Sequence, residues 1–292
     1  MDLKKNQSIR VKKNIDSIFR SLSLLIVYFL LTLVIFYTSN VPIIILCIFC
    51  ISFIFAGLVN SAHDCIHKSQ WTYKQLNAIF GNLWCAIVLL NYGRYKYKHL
   101  KHHKYLGTDK DSEKAIVFNS PMEYVTYLLG ITYIKGLFQS HMLIFKIIFL
   151  TDNKEKKEIL ISEITLLIWL SLCVFLTIFN FDFMLTAYWM PLSLYPATLA
   201  FFSLTEHYGL SKSKDIRLCT RTVKSNFIIR YLFWNGNFHI EHHYFPIAPS
   251  NKLKYIHQQL SSNTHCFENS YLMFHFRVLN ELLLLGKTNE KK

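Results

Sequence analysis

Thirteen histidines are spread over 292 residues, and eight of them fall into three tight groups. His63-Asp64-Cys65-Ile66-His67 is the first group, His99-Leu100-Lys101-His102-His103 the second and His239-Ile240-Glu241-His242-His243 the third. On a helix, residues at i, i+3 and i+4 share one face, with Cβ atoms about 5–6 Å apart. The first group is an i, i+4 pair, and each H-x-x-H-H places three imidazoles on one face. Helices that turn those faces inward would enclose a cage of nitrogen ligands. A ninth candidate is His207, in Thr205-Glu206-His207-Tyr208-Gly209. It follows a long uncharged run, as His63 does.

Nine imidazoles exceed what one ion uses. Zinc takes four ligands, or three plus water when catalytic. Nine nitrogens suit two ions of five or six coordination with positions left open. Imidazole accepts Fe, Zn, Cu and Ni, so ligand type alone does not select the metal. Asp64, Glu206 and Glu241 each stand beside a histidine, where a carboxylate can accept the outward ring N–H and orient the ligand. Asn60 is three residues before His63 and seven before His67, so it shares their face and could hold a metal-bound water. His141, His257, His265 and His275 stand alone and read as structural. Haem would need facing histidines within apolar spans, and the spans contain none. Cys47-x-x-Cys50 has redox spacing but lies among Ile and Phe, where thiols act as small hydrophobes. Seven cysteines, an odd number in a long chain, do not suggest a disulfide scaffold.

These groups must be held by something, and the composition says what. Apolar residues make up 52% and charged residues 17%, against a soluble norm of about 25%. From Ser21 to Ala62 there are 42 residues without Asp, Glu, Lys, Arg or His. A membrane span needs about 20, so this run is two spans, with Ser39-Asn40-Val41-Pro42 as the turn. A second hairpin follows from Ile164–Phe181 and Phe183–Thr205, separated by Asp182. The expected spans are 22–38, 42–62, 163–180 and 184–206. The first run is too long for a cleaved signal peptide and lacks a small-residue cleavage site.

Lys and Arg number 32 against 18 Asp and Glu, a net charge of +14. Six lie in residues 1–20 and nine in 64–114, and none in the turns near Asn40 and Asp182. By the positive-inside rule both termini, the middle region and the histidines face the cytosol. The excess reads as this topology signal plus attraction to anionic lipid, not as nucleic-acid binding. Gln75–Gly93 is uncharged over 19 residues and could cross once. A single crossing would put the first two histidine groups on opposite faces, so the segment should lie in the interface or dip in and return. Met122–Leu150, interrupted by Lys135, His141 and Lys146, reads as a surface-lying helix. The expectation is an all-α integral membrane protein. It has four transmembrane helices in two hairpins, interfacial helices, and a cytosolic histidine-rich cap over 63–162 and 207–285.

In this order, with two apolar hairpins around them, the three boxes resemble those of the membrane fatty acid desaturase family. The likeness runs from about Asn60 to Pro249. It is strongest through Thr220-Arg221-Thr222-Val223, Ser225-Asn226, Arg230, Trp234-Asn235-Gly236-Asn237, and the third box with Tyr244-Phe245-Pro246 and Pro249. That block resembles a bacterial branch that acts on amino-acid-derived natural products as well as acyl chains. His102-His103 followed by Leu106-Gly107-Thr108 and Asp109-x-Asp111 resembles the family's second box and its tail. The resemblance implies one membrane domain over 1–292, in a bacterial inner membrane, carrying two non-haem iron ions. Their implied ligands are His63, His67, His99, His102, His103, His207, His239, His242 and His243. Asn237 joins Asn60, Asp64, Glu206 and Glu241 as an expected neighbour of those ligands. Arg221, Asn226 and Arg230 are expected to hold the substrate's anionic head or carrier.

The implied reaction is O2-dependent introduction of a C=C bond into a fatty acyl or related lipid-like chain, carried on CoA, a carrier protein or a phospholipid. No His-Pro-Gly-Gly segment of cytochrome b5 type is present, so electrons would come from a separate ferredoxin- or cytochrome b5-type protein. There are two departures from the family pattern. The first box has three residues between its histidines where some acyl-CoA desaturases have four. Ser203 stands one turn before His207, where those enzymes carry an amide. A hydroxylase or ketolase on the same scaffold, a zinc-dependent membrane hydrolase, and a metal transporter or sensor are the alternatives. The last would need ionisable residues within the spans, which have almost none.

Overall fold

The computed structural model describes residues 14–113, 116–142, 153–260 and 266–289. It is almost wholly helical. Helices α1 (Asn14–Tyr37) and α2 (Val41–Ile66) form the first hairpin. Asn40 caps α2 by accepting from the Ile43 N–H at 3.2 Å, and Pro42 sits in the first turn, where its missing N–H costs nothing. Both helices outrun the expected spans: α1 begins at Asn14, and α2 continues to Ile66, so His63 belongs to its last turn. Helix α1 presents Phe19, Leu22, Ile26, Phe29 and Leu30 outward, as a lipid-facing helix should. The largest core cluster forms around α2, where Ile51, Phe55, Ala62 and Cys65 pack with Trp71, Trp84, Cys85 and Tyr195. All seven cysteines are free thiols, and Cys47 is buried in this core.

Helices α3 (Lys74–Ile87) and α4 (Tyr92–Tyr105) meet at 109°. The turn between them is tied to the second hairpin: Tyr188 Oη donates to Ile87 O and Tyr195 Oη to Val88 O, each at 2.9 Å. Tyr195 lies twelve residues before His207, about 18 Å along a helix. The turn therefore sits well away from the histidine level, and the segment leaves that level and returns to it, as a shared site requires. The region expected as one surface helix from Met122 is two, α5 (Pro121–Leu128) and α6 (Ile131–Met142). Gly130, at φ +74°, makes the break between them. The remainder of that expected helix, 143–150, lies outside the described residues, as do His265 and the His141 side chain.

Helix α7 (Asn153–Phe179) starts ten residues before the expected span, and Glu158 in its early turns pairs with Lys96 of α4 at 2.5 Å. The segment expected as the fourth span is composite, α8 (Phe181–Met184), a π-helical turn (Leu185–Trp189), then α9 (Met190–His207), and it is not among the candidate spans. Pro191 has no N–H to offer Ala187, and the Met190 N–H reaches back five residues to Leu185 O. Helices α1, α2 and α7 are each long and apolar enough to cross a membrane, and so is the bent α3–α4 pair taken together.

The chain then runs through α10 (Ile216–Cys219), β1 (Thr222–Val223), α11 (Phe227–Leu232), α12 (His239–Tyr244), α13 (Ser250–Leu260), β2 (Phe267–Glu268) and α14 (Tyr271–Asn289). The two short strands pair in parallel, Thr222 with Phe267 and Val223 with Glu268.

Candidate metal centre

Four helix ends deliver the nine imidazoles. The end of α2 brings His63 and His67, α4 brings His99, His102 and His103, α9 ends on His207, and α12 brings His239, His242 and His243. They divide into two sets. Nitrogens of His63, His67, His99, His103 and His242 lie within 4.8 Å of one another, and so do those of His102, His207 and His243. His239 joins the second set through His207 and Glu206.

Within the first set, Nε2 of His67 lies 2.8 Å from that of His99, His99 lies 2.9 Å from His103, and His103 lies 3.0 Å from His242. Within the second, His239 Nε2 approaches His207 at 2.9 Å and His243 at 3.0 Å. A neutral imidazole offers one N–H and one lone pair. His99, His103 and His239 each bring one Nε2 against two others, so hydrogen bonds cannot satisfy every contact. Lone pairs must converge, which is repulsive unless a cation sits among them. His102 Nε2 is buried without a hydrogen-bond partner, and it too faces this centre. Burial and the neighbouring imidazoles hold His239, His242 and His243 well below the ordinary histidine range, so they stay neutral and able to ligate. The donor set fits metal binding.

The outward ring nitrogens are anchored. His102 Nδ1 meets Asp111 Oδ1 at 2.8 Å, and His207 Nδ1 donates to Cys219 O at 2.8 Å. Asp64 lies 3.7 Å from His63 Nδ1, Glu206 3.6 Å from His239 Nδ1 and Glu113 3.7 Å from His99 Nδ1. Against these imidazoles opens a cavity of about 490 Å³, the size of a small-molecule site. Asn60 and Asn237 line it near the histidines, and Tyr133, Leu137, Leu199, Phe202 and Phe233 supply apolar walls.

The sequence model of the fatty acid desaturase family matches residues 10–275. The chain belongs to the fatty acid desaturase family. No curated protein matches it. Family membership and the histidine cluster together make it a membrane oxidoreductase with a metal centre.

Within this desaturase fold several expected residues stand elsewhere. Glu241 does not orient a box imidazole. It sits two residues, or about 200° of helix, from His239, and so points away from the ligand face. Its carboxylate is fully buried, accepting from Thr222 Oγ1 at 2.6 Å and meeting His257 Nδ1 at 2.7 Å. His257 is thus the partner that ties α13 to α12. Arg221, Asn226 and Arg230 do not reach the cavity. Arg221 is buried, donates to Thr205 O at 2.6 Å and Tyr208 O at 3.1 Å, and lies over the Phe274 ring. It caps the last carbonyls of α9, which have no helical partners of their own. Asn226 caps α11 by accepting from the Ile229 N–H, and Arg230 donates to Ser225 O. Asn237 Nδ2 donates to Val223 O at 2.9 Å, and its buried Oδ1 has no partner.

Sequence reasoning missed Asp111 and Glu113 as supports. Their only signal was the box-two tail, where Gly107 at φ +71° turns the chain back. A Cβ there would lie 1.8 Å from Ser213 O, so no other residue fits. Ser203, in the position where some relatives carry an amide, lines the cavity.

Proposed function

We propose that the protein is a cytosol-facing, multi-pass desaturase of a bacterial inner membrane. It would use two iron ions and O2 to introduce a C=C bond into an acyl or related lipid-like chain. The observation that carries this reading is the spacing of the nine imidazoles at the end of a largely apolar cavity. At a metal–nitrogen distance of about 2.1 Å, ligands at right angles lie about 3.0 Å apart, and tetrahedral ones about 3.4 Å. The five Nε2 contacts of 2.8–3.0 Å match the right-angled case. That favours ions of five or six coordination over the four-coordinate zinc of a hydrolase.

When bound, iron would supply the chemistry that removes hydrogens from two neighbouring carbons while O2, two external electrons and two protons become two waters. The chain's own residues do the rest. The nine imidazoles would hold the ions, and Asp111 and Cys219 O fix the rings of His102 and His207. The aromatic and aliphatic walls keep the cavity dry and lay one stretch of chain against the imidazoles. The reading includes a separate electron-transfer protein of ferredoxin or cytochrome b5 type. A hydroxylase would use the same cage but leave an alcohol.

The test is metal content per polypeptide after purification in mild detergent, followed by product mass under reductant and O2. Two irons, lost in His99→Ala and His242→Ala, with a product lighter by two hydrogens, are expected. One zinc and no iron would overturn the reading, and gain of one oxygen would turn it to a hydroxylase.

A further inference from the structure

One face of α4 runs along the cavity. Asn91, Arg94, Tyr95, Lys98, His99 and His102 all line it, at the i, i+3, i+4, i+7 spacing of a single helical stripe. Lys98 is exposed, whereas Arg94 is 6% exposed. Nε and Nη1 of Arg94 are buried and have no hydrogen-bond partner. The carboxylate whose charge bears on Arg94 is Glu163, yet Nε and Nη1 hydrogen-bond to no group of the chain. Asn91 Oδ1 accepts the Arg94 backbone N–H at 3.0 Å, and its Nδ2 donates to Ile159 O and to Glu163 Oε2. The other carboxylates on the cavity, Asp64, Glu113 and Glu206, each lie 3.6–3.7 Å from a histidine ring nitrogen. Guanidinium does not deprotonate in proteins, so Arg94 cannot escape its burial by becoming neutral. A buried charge with unused donors is costly unless something in the cavity completes it.

The complement of a planar guanidinium is a carboxylate or phosphate oxygen pair. The rest of the cavity decides between them. Its walls are apolar and aromatic, and Arg94 is buried within the cavity and not on the exposed rim where Lys98 stands. That suits a compact carboxylate on an apolar chain better than a bulky phosphate-bearing carrier. We infer that Arg94 receives the carboxylate of the substrate, so that the chain binds as a free acid and not as a thioester or phospholipid ester. The inference rests on the desaturase reading above and narrows its substrate class. Arg94 and His99 are five residues apart, about 7.5 Å along α4. An anchored head would therefore set which carbons lie against the imidazoles.

The test uses the purified, metal-loaded protein in nanodiscs without reductant, so that nothing turns over. Acids from octanoate to oleate, their methyl esters and their CoA thioesters are titrated by calorimetry. Wild type should bind at least one acid about tenfold or more tighter than its ester. Arg94→Gln should lose that preference with ester affinity unchanged, and Arg94→Lys should keep part of it. Equal binding of acid and ester by wild type would overturn the inference, as would tightest binding of the thioester or an intact preference in Arg94→Gln. Should Arg94→Gln lose its metal or fold, the wild-type acid–ester comparison decides alone. If esters or thioesters bind and are desaturated without any preference for the acid, this inference fails and the desaturase reading stands. If no chain binds, both fail.

Discussion

Two buried regions of this protein handle their polar groups in opposite ways. In the block from Thr220 to Ser250, Arg221 gives its guanidinium to Thr205 O and Tyr208 O, and Glu241 is held by Thr222 and His257. Along α4, Arg94 keeps unpartnered donors and His102 keeps an unpartnered Nε2, both buried. Buried polar groups are normally satisfied within the chain. Within the first region Arg221 and Glu241 obey that rule and are scaffold, fixing the end of α9 and the orientation of α12, whereas Trp234 Nε1 and Asn237 Oδ1, which line the cavity, do not. The second breaks the rule at the atoms that face the cavity and the centre. Charge and burial are alike in the two arginines, and only satisfaction separates the one that builds the site from the one that faces it.

The largest expected effect lies on the satisfied side. Glu241→Ala strands the Thr222 hydroxyl and the His257 ring, and should destabilise the protein by about 3–5 kcal/mol. Thermal unfolding in detergent measures it, and an unchanged midpoint would remove the distinction drawn here. The next effect lies on the ligand-facing side. Asp111→Asn keeps the shape but weakens the tie on His102, and should lower metal affinity about 10–100-fold with little change in the apoprotein's unfolding. Chelator competition reads the affinity. Loss of stability without loss of affinity would move Asp111 to the scaffold.

Much of this was legible in the sequence, for a physical reason. The boxes use i, i+3 and i+4 spacings, and within a helix spacing alone puts side chains on one face. The hairpins could be read because lipid tolerates no charge over some twenty residues. His207 was reachable because it ends a long apolar run, as His63 does. The misses sit where the chain leaves helices or where rotation was ignored. Asp111 returns to His102 only through the turn at Gly107. Glu241 looked like a ligand support from adjacency, yet adjacency on a helix is about 100° of rotation and it faces Thr222 instead. Arg221 was read as a binding residue because it is cationic near a box. What it binds is the carbonyl end of α9, a partner sixteen residues earlier in the chain.

A pH-dependent effect follows from the imidazoles. His239, His242 and His243 are held well below the ordinary range, while in the unfolded chain they titrate near 6.5. Above that value neither state takes up the proton, and stability should not depend on these groups. Below it the unfolded chain binds protons that the folded apoprotein refuses. Apoprotein stability should then fall by about 1.4 kcal/mol per pH unit per imidazole. Bound metal should shift the onset to lower pH and be released as it is passed. A flat unfolding midpoint for chelator-treated protein between pH 8 and pH 5 would count against the neutral cage.

The two buried arginines can be set directly against each other, and the Arg94 effect is the smallest. Arg221→Met and Arg94→Met remove the same charge from two buried sites. The first leaves two helix-end carbonyls without donors and should cost about 2–4 kcal/mol. The second removes a guanidinium whose Nε and Nη1 have no partner and which only the charge of Glu163 supports, and the ligand-free midpoint should move by less than about 1 kcal/mol. The gap between the two variants should close when a saturating carboxylate ligand is present. A ligand that binds only the folded state adds about 2.7 kcal/mol at a hundred times its Kd. Wild type and Arg221→Met should both gain it, and Arg94→Met should gain little. If Arg94→Met is instead as destabilised as Arg221→Met without any ligand, then Arg94 belongs to the scaffold, and its unpartnered nitrogens say nothing about what enters the cavity.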